Sequence, residues 1–143
     1  MLSTSIRQTD FTPSKGNALQ ACIATILEIE LSEVPNFILE PDLYASLRGF
    51  LSQYGLGFLK VTLNESGELN FFPGEGLCLL AGNSPRGPHR HVVIAKISSS
   101  SPLRPIPIFD PHPSDAFLSG IPLWAGFFIA LDPHQTMQRR IVE

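Results

Sequence analysis

Three places in the sequence carry the residue types of covalent acyl chemistry. Gly16 and Asn17 form a turn that opens a helix at Ala18, His91 begins a hydrophobic strand, and Asp110 starts a later turn. A nucleophile at the helix start, a histidine base and a carboxylate that orients the histidine would together attack a carbonyl group. The first helical position, where this chemistry requires a thiol, is alanine. The pattern therefore predicts an amide-hydrolysis or acyl-transfer site that is unable to react as written.

Position 18 suits a nucleophile because of its place in the helix. A side chain in the first turn lies beside unpaired backbone N–H groups and the positive end of the helix dipole, which lowers a thiol's pKa and stabilises an oxyanion. Cys22 lies one turn further along the same face, where its backbone N–H is already committed to the helix. We interpret Cys22 as a buried structural thiol, because free cysteine is among the most buried residue types.

The candidate base and acid lie at the ends of two predicted strands. His91 precedes a run of apolar residues, so its imidazole would lie at the mouth of a strand and exchange protons near neutral pH. Asp110 follows the apolar residues 106–109, so its carboxylate could accept the second ring N–H. Each residue also has an ordinary explanation. His91 could be a surface histidine, and Asp110 could simply start a turn. The rival bases, or simple loop residues, are His89, His112 and His134.

A zinc site is an alternative reading of the same region. Two histidines two residues apart on a strand can share a metal, and the candidate ligands are His89, His91, Asp110 and His112. We favour it less, because the sequence offers no clear candidates for the groups that hold metal-bound histidines in place. The prediction is therefore no metal and no cofactor.

The elements that must position these residues follow from hydrophobic spacing. Residues 17–29 have apolar positions three and four apart, Asn17 can cap this helix, and the segment leading to Pro35 ends it. A second helix begins after Pro41, with Asp42 in its first turn, and runs from Leu43 to about Tyr54 before Gly55.

Everything after the second helix has the character of strands. Five short segments rich in branched or aromatic residues are separated by Gly, Pro, Asn and Ser clusters, namely 58–63, 77–81, 92–97, 106–109 and 127–131. This order predicts an α+β fold, with the first helix packed on an antiparallel sheet of about five strands. The Ser98–Pro107 segment is interpreted as a mobile hairpin connection, and the final dozen residues as a fraying end.

Composition limits the class of protein and of partner. The chain has 143 residues, of which 43% are hydrophobic and 16% charged, so we expect one globular domain over residues 1–143. A net charge of -3 without a basic patch argues against nucleic acid as a partner. Two cysteines in apolar segments, Cys22 and Cys78, fit buried reduced thiols and a cytoplasmic protein. The N-terminus has no signal-peptide pattern and no segment has about 18 consecutive apolar residues, so we expect no membrane association.

A family resemblance rests on the same residues. The chain resembles small bacterial papain-like cysteine hydrolases related to the C39 peptidase-like and NlpC/P60-like enzymes. The similarity covers roughly residues 5–130. Its motifs are Gln8, the Gly-Asn helix start before Ala18, the Ser84-Pro85-Arg86-Gly87 loop, the His91 strand and the turn Asp110–Ser114.

The resemblance implies a papain-like fold and a role for each matching position. Residue 18 takes the place of the nucleophile, His91 that of the base, Asp110 that of the orienting acid, and Gln8 that of a side-chain donor to the oxyanion hole. The implied substrate is a peptide, isopeptide or small-molecule amide or thioester.

Ala18 departs from this family pattern, in which position 18 is cysteine. Either the thiol was removed deliberately or the protein is a natural pseudoenzyme. We favour deliberate removal, because Gln8, His91 and Asp110 are all retained. The competing hypothesis is a papain-like binding module that recognises a peptide or small ligand without chemistry.

Overall fold

The structure, a computed structural model, describes residue 2 and residues 4–131. It is α+β: two α-helices precede five strands that form one antiparallel sheet, as the sequence predicts. In chain order the elements are α1 Ala18–Leu27, two 3-10 turns Leu31–Glu33 and Phe37–Leu39, α2 Leu43–Ser52, β1 Leu56–Thr62, β2 Gly76–Asn83, β3 Arg90–Ser98, β4 Ser101–Phe109 and β5 Ser119–Ala130. The predicted fraying end, residues 132–143, lies outside the described residues.

Helix α1 confirms the first predicted helix but ends for a different reason. Its last residue is Leu27, and Glu28 adopts a left-handed conformation with a φ of 58°. The Glu28 N–H then bonds the Thr25 carbonyl, which closes the helix end. Pro35 does not terminate the helix, so the reason given for its end is wrong.

Helix α2 begins where the sequence predicts and ends two residues earlier. Asp42 is the N-cap rather than a first-turn residue, and its carboxylate accepts the N–H of Ala45 at 3.1 Å. The helix ends at Ser52, ahead of the predicted end at Tyr54. Its apolar face packs on β1.

All five predicted strands are present, and they are longer than predicted. The Ser98–Pro107 segment is not a mobile connection. Ser98 is the last residue of β3, only Ser99 and Ser100 form the turn, and residues 101–107 belong to strand β4, which pairs with β3. Prolines are tolerated there because β4 is the edge of the sheet, where a missing N–H costs no ladder bond on the open side.

The strand order β1-β5-β2-β3-β4 places the last strand inside the sheet. β5 pairs with β1 on one side and β2 on the other. β2 and β3 form a hairpin in which Gly82 lies opposite His91. The start of β3 and the end of β4 therefore meet at one end of the sheet, which is where the candidate residues lie.

The sheet has an apolar cluster on each face. One face packs against α1 and α2 and includes Val92 and Ile94 from β3. The opposite face includes Val93 and Ala95. The first helix thus packs on the sheet as predicted. Among the described residues, no helix is long and apolar enough to cross a bilayer.

Gly126 on β5 provides a test of the packing between β5 and β1. A methyl group added at this buried glycine would lie 2.5 Å from Cζ of Phe58. We expect Gly126→Ala to lower the free energy of unfolding by about 1–3 kcal/mol, because overpacking forces neighbouring groups to shift. Urea denaturation measures the change.

Gly49 on α2 is the matched control. No atom lies within 4 Å of a methyl group added there. Gly49→Ala should raise the free energy of unfolding by about 0.5–1 kcal/mol, since alanine favours helix. Loss of stability in Gly49→Ala, or none in Gly126→Ala, would contradict the described packing.

Candidate functional site

A buried hydrogen bond joins two of the predicted residues. His91 Nε2 lies 2.7 Å from Oδ1 of Asp110, and neither side chain is more than 3% exposed. Because an ionised carboxylate only accepts hydrogen bonds, the proton of this bond belongs to Nε2. The other ring nitrogen, Nδ1, then carries a lone pair in the neutral ring. This is the arrangement in which an imidazole can take a proton from a neighbouring group.

The Asp110 carboxylate has two further donors. Oδ1 also accepts the backbone N–H of His112 at 3.0 Å, and Oδ2 accepts that of Phe117 at 2.8 Å. Burial raises the pKa of Asp110, but the bond from His91, these two N–H groups and the charge of His91 together lower it below its usual value. Asp110 is therefore ionised at neutral pH and fixes the tautomer of His91.

The turn after Asp110 adopts an unusual backbone to supply these donors. Asp115 and Phe117 have φ values of 53° and 60°, a left-handed region that bulky residues rarely occupy. Such conformations cost of order 1–3 kcal/mol each and persist where surrounding contacts enforce them. The bond from Phe117 N–H to Asp110 is one such contact.

The N-terminal segment holds the same turn from outside. The Gln8 backbone N–H donates to the Pro111 carbonyl at 3.0 Å. The Arg7 guanidinium donates to the carbonyls of Asp110 and His112 at 3.2 and 3.0 Å. Gln8 is thereby fixed beside the loop that carries Asp110.

The Gln8 side chain is buried and only partly satisfied. Its Nε2 donates to the Asp10 carbonyl at 3.0 Å, and its Oε1 has no partner among the described residues. A side-chain amide carries two N–H bonds, so Nε2 keeps one donor beyond the bond to Asp10. Gln8 also lines the cavity described below. That position matches the donor role predicted for it.

Asn17 is the N-cap residue of α1, as predicted, but its side chain makes no capping bond to the helix. Its side-chain oxygen accepts the N–H groups of Thr9 and Asp10 at 2.8 and 2.9 Å, and its nitrogen donates to the Thr9 hydroxyl. The residue therefore ties the N-terminal segment to the helix start. The first bond within the helix runs from Ala21 N–H to the Asn17 carbonyl, so the N–H of Ala18 has no intrahelical partner.

A cavity of about 570 Å³ lies between the start of α1 and the sheet. Gln8, Ala18 and His91 all line it, and Asp110 is buried behind His91. Gly16 lines it too, and only glycine fits there because an added Cβ would lie 2.8 Å from the Thr12 carbonyl oxygen. The structure thus brings together all four predicted site residues.

His91 reaches this cavity from the end of the sheet. His91 is the second residue of β3 and precedes Val92, which belongs to the cluster on the α1 side and also lines the cavity. Its ring lies edge-on to that of His112, with centroids 6.4 Å apart, and His112 lines the cavity as well.

The rival histidines differ from His91. His112 Nδ1 accepts the N–H of Ser114 at 3.0 Å, so the neutral ring carries its proton on Nε2 and is a donor there. Burial, and next the charge of Arg86, lower the pKa of His112. His89 lines the cavity, and its Nδ1 has no partner among the described residues. His134 lies outside the described residues.

Both cysteines are buried and free. Cys22 is fully buried, and its Sγ contacts the Val92 carbonyl oxygen at 3.7 Å. Burial, with a smaller contribution from the Asp110 charge, raises the pKa of Cys22 well above its usual value. Burial likewise raises the pKa of Cys78 to about 12. Neither thiol lines the cavity.

Metal chemistry gains no support from the geometry. Within residue 2 and residues 4–131, no group of three or more His, Cys, Asp or Glu side chains could hold a metal ion. His91 Nε2 and Asp110 Oδ1 are hydrogen-bonded directly to one another.

Several cavity residues were not singled out by sequence reasoning. They are Tyr44, Lys60, Arg90 and Trp124, from α2 and three strands. Trp124 is the only tryptophan of the chain and sits in a strand segment that was predicted to begin at Phe127. That it is the only tryptophan was the one available signal in the sequence for its place at the site.

Comparison of the chain with protein-family models, with curated proteins and with solved structures found no match.

Thiol reactivity tests the difference between positions 18 and 22. We expect Cys22 and Cys78 to react slowly with iodoacetamide, because burial keeps both protonated and inaccessible. In Ala18→Cys the new thiol should alkylate quickly, at a pH below the ordinary thiol pKa of about 8.5. Peptide mass mapping over time and pH measures both rates. Fast labelling of Cys22 in the unchanged chain would contradict this assignment.

Acid unfolding tests the buried carboxylate. A carboxyl whose pKa is lower in the folded than in the unfolded chain adds stability above its unfolded pKa, and this stability is lost as pH falls through the folded value. The free energy of unfolding should therefore fall below about pH 4. Asp110→Asn should be less stable at pH 7 by about 1–3 kcal/mol and should show a smaller acid loss.

Asp115→Asn is the control, because Asp115 is an exposed acid of the same turn that pairs with Arg7. It should change stability by no more than about 1 kcal/mol and keep the full acid loss. An Asp110→Asn variant with the same pH dependence as Asp115→Asn would show that the Asp110 charge does not stabilise the fold.

Proposed function

We propose that the fold is that of a cysteine-dependent hydrolase or acyltransferase acting on an amide, peptide, isopeptide or thioester bond, with Ala18 at the nucleophile position. The observation that carries this proposal is the buried His91–Asp110 bond beside a cavity that residue 18 and Gln8 also line. Nucleophile and base must share a space with the substrate carbonyl, and these positions meet that condition.

The proposed mechanism assigns one step to each residue. With cysteine at position 18, His91 Nδ1 accepts the thiol proton and the sulfur bonds to the carbonyl carbon. The Gln8 Nε2 N–H that is not bonded to the Asp10 carbonyl stabilises the oxyanion, together with the backbone N–H of residue 18. The leaving amine or thiol departs with the proton held by His91. Water or an amine then attacks the carbonyl carbon of the acyl-enzyme, and its proton passes to His91. The carbon–sulfur bond breaks, and the sulfur of residue 18 is released as the thiolate.

We further infer a papain-like arrangement of the fold. In support, α1 starts at the candidate nucleophile position and packs on β3, whose second residue is the base. The orienting carboxylate follows the next strand, β4, in the chain. The buried reduced thiols also favour a cytoplasmic protein. The proposed partner is a peptide or small-molecule acyl substrate.

A second candidate function is a binding module without catalysis. It is favoured by Ala18 itself, since the chain as written has no thiol in the cavity. The cavity size falls within the usual range of small-molecule sites, about 300–1,000 Å³. The codon for residue 18 in the natural gene separates the two, because cysteine favours the enzyme and alanine favours the binder.

Restoring the thiol tests the enzyme directly. Ala18→Cys should form an acyl adduct on residue 18 with activated amides or thioesters and turn over, as seen by intact mass spectrometry and product release. Adding His91→Ala should abolish most activity, because nucleophile and base act as a unit. Adding Gln8→Ala should lower turnover by about 100- to 1,000-fold, the usual loss for one oxyanion donor.

Two further variants complete this experiment. Adding Asp110→Asn should keep part of the activity, because the carboxylate orients the ring and does not react. Adding Cys22→Ser should keep most of it, since Cys22 is buried outside the cavity. An Ala18→Cys protein that stays inert toward every activated acyl donor, without an adduct at 18, would leave the binding module as the function.

A further inference from the structure

The charge of the cavity lining is opposite to that of the chain. Lys60, Arg86 and Arg90 line it, and no Asp or Glu of the described residues does. The whole chain has a net charge of -3. Of the acids bonded to lining residues, Asp110 is fully buried and bonded to His91, and Asp10 is bonded to Thr12. The cavity therefore presents a positive surface in an acidic protein.

Lys60 is held in place without being neutralised. Its Nζ lies 5.0 Å from the ring centroid of Tyr44 and 4.9 Å from that of Trp124, both of which line the cavity. The aromatic faces attract the ammonium but leave its positive charge intact. Among the described residues, no carboxylate pairs with it.

The two arginines are also bonded only to neutral groups. Arg86 donates through Nη1 to the Ser114 hydroxyl at 3.1 Å, and Arg90 donates to the side-chain oxygen of Asn83. Neither forms an ion pair within the described residues. A guanidinium has five N–H donors in a fork that fits carboxylate or phosphate oxygens, so each arginine keeps donors for an anion.

His112 adds another hydrogen-bond donor to the cavity lining. Its Nδ1 is occupied by the Ser114 N–H, which leaves Nε2 with the proton in the neutral ring. Burial, and next the charge of Arg86, lower the pKa of His112, which favours this neutral ring at neutral pH. An anion in the cavity would meet a donor at this position.

Much of the remaining lining is apolar and includes Phe11, Ile38, Leu43 and Phe58. At about 570 Å³ the cavity has the size of a small-molecule site. A ligand that fits it has an apolar body together with an anionic group. A neutral peptide would leave the three exposed cations facing solvent and would gain no charge-assisted hydrogen bond from them.

We propose that this cavity binds a small anionic acyl compound, an amide or thioester that carries a carboxylate or phosphate group. The anion lies among Lys60, Arg86 and Arg90, and the apolar part lies against the apolar and aromatic side chains of the lining. The acyl part of this statement rests on the proposed function. The anion part rests on the lining alone and holds for an enzyme and for a binding module.

Binding to the chain as written tests the anion preference. Four acetyl thioesters of similar size serve as probes: those of 3-mercaptopropionate, 2-mercaptoethyl phosphate, N-acetylcysteamine and thiocholine. They carry a carboxylate, a phosphate, no charge and a positive charge. Trp124 lines the cavity as the only tryptophan, so its fluorescence reports occupancy, and calorimetry gives an independent affinity.

We expect at least one anionic probe to bind about tenfold or more tightly than the neutral probe, with the cationic probe weakest. The tighter of the two anions identifies the group as carboxylate or phosphate. Added salt should weaken the anionic probes selectively, because the cations are exposed to solvent. Equal affinity for neutral and anionic probes, or no binding of any probe at millimolar concentration, would overturn the proposal.

Charge-removing variants locate the site. Lys60→Gln and Arg86→Gln should each weaken the favoured anionic probe by about three- to tenfold and leave the neutral probe unchanged. Lys96→Gln is the matched control, an exposed lysine of β3 that does not line the cavity. Calorimetry is the readout for Lys60→Gln, since that change alters the surroundings of Trp124. Anion affinity in the two cavity variants equal to that of Lys96→Gln would contradict the assignment.

The same probes separate this proposal from the proposed enzyme. An inert Ala18→Cys protein whose alanine form still prefers anions would overturn the enzyme and support the anion site. An active Ala18→Cys protein with equal rates on neutral and anionic probes would support the enzyme and overturn the anion site.

Discussion

The buried carboxylate of Asp110 is the constraint on which the site depends. A charge with no solvent exposure must be matched by donors, because an unpaired buried ion is strongly destabilising. Its three donors come from the imidazole of His91 and from the backbone of the turn that follows. Satisfying one carboxylate therefore fixes the ring of His91 and also the left-handed conformation of Phe117.

The N-terminal segment extends this constraint to the helix start. Gln8 bonds to the turn after Asp110 through its backbone, and Asn17 bonds to the same N-terminal segment through its side chain. Two regions about a hundred residues apart in sequence are thereby held against each other. The cavity exists because this segment, α1 and the sheet end meet without filling the space between them.

The cysteine thiols and the cationic side chains occupy different parts of the molecule. The thiols of Cys22 and Cys78 lie in the core, where burial keeps them protonated and unreactive. Lys60 and Arg86 instead face the cavity with charges that no described carboxylate neutralises.

The sequence by itself predicted the local elements and the candidate site residues that the structure brings together. Apolar spacing defines α1, and branched residues define β3, because both signals act through neighbours in the chain. It did not determine that Ser98–Pro107 is strand or that Asn17 binds Thr9 and Asp10, since an edge position and a distant partner decide those. Nor did it place Lys60 and Trp124 at the site. Only the tertiary structure decided this, because strand order and register bring together side chains from β1, β5 and α2 that no sequence spacing relates.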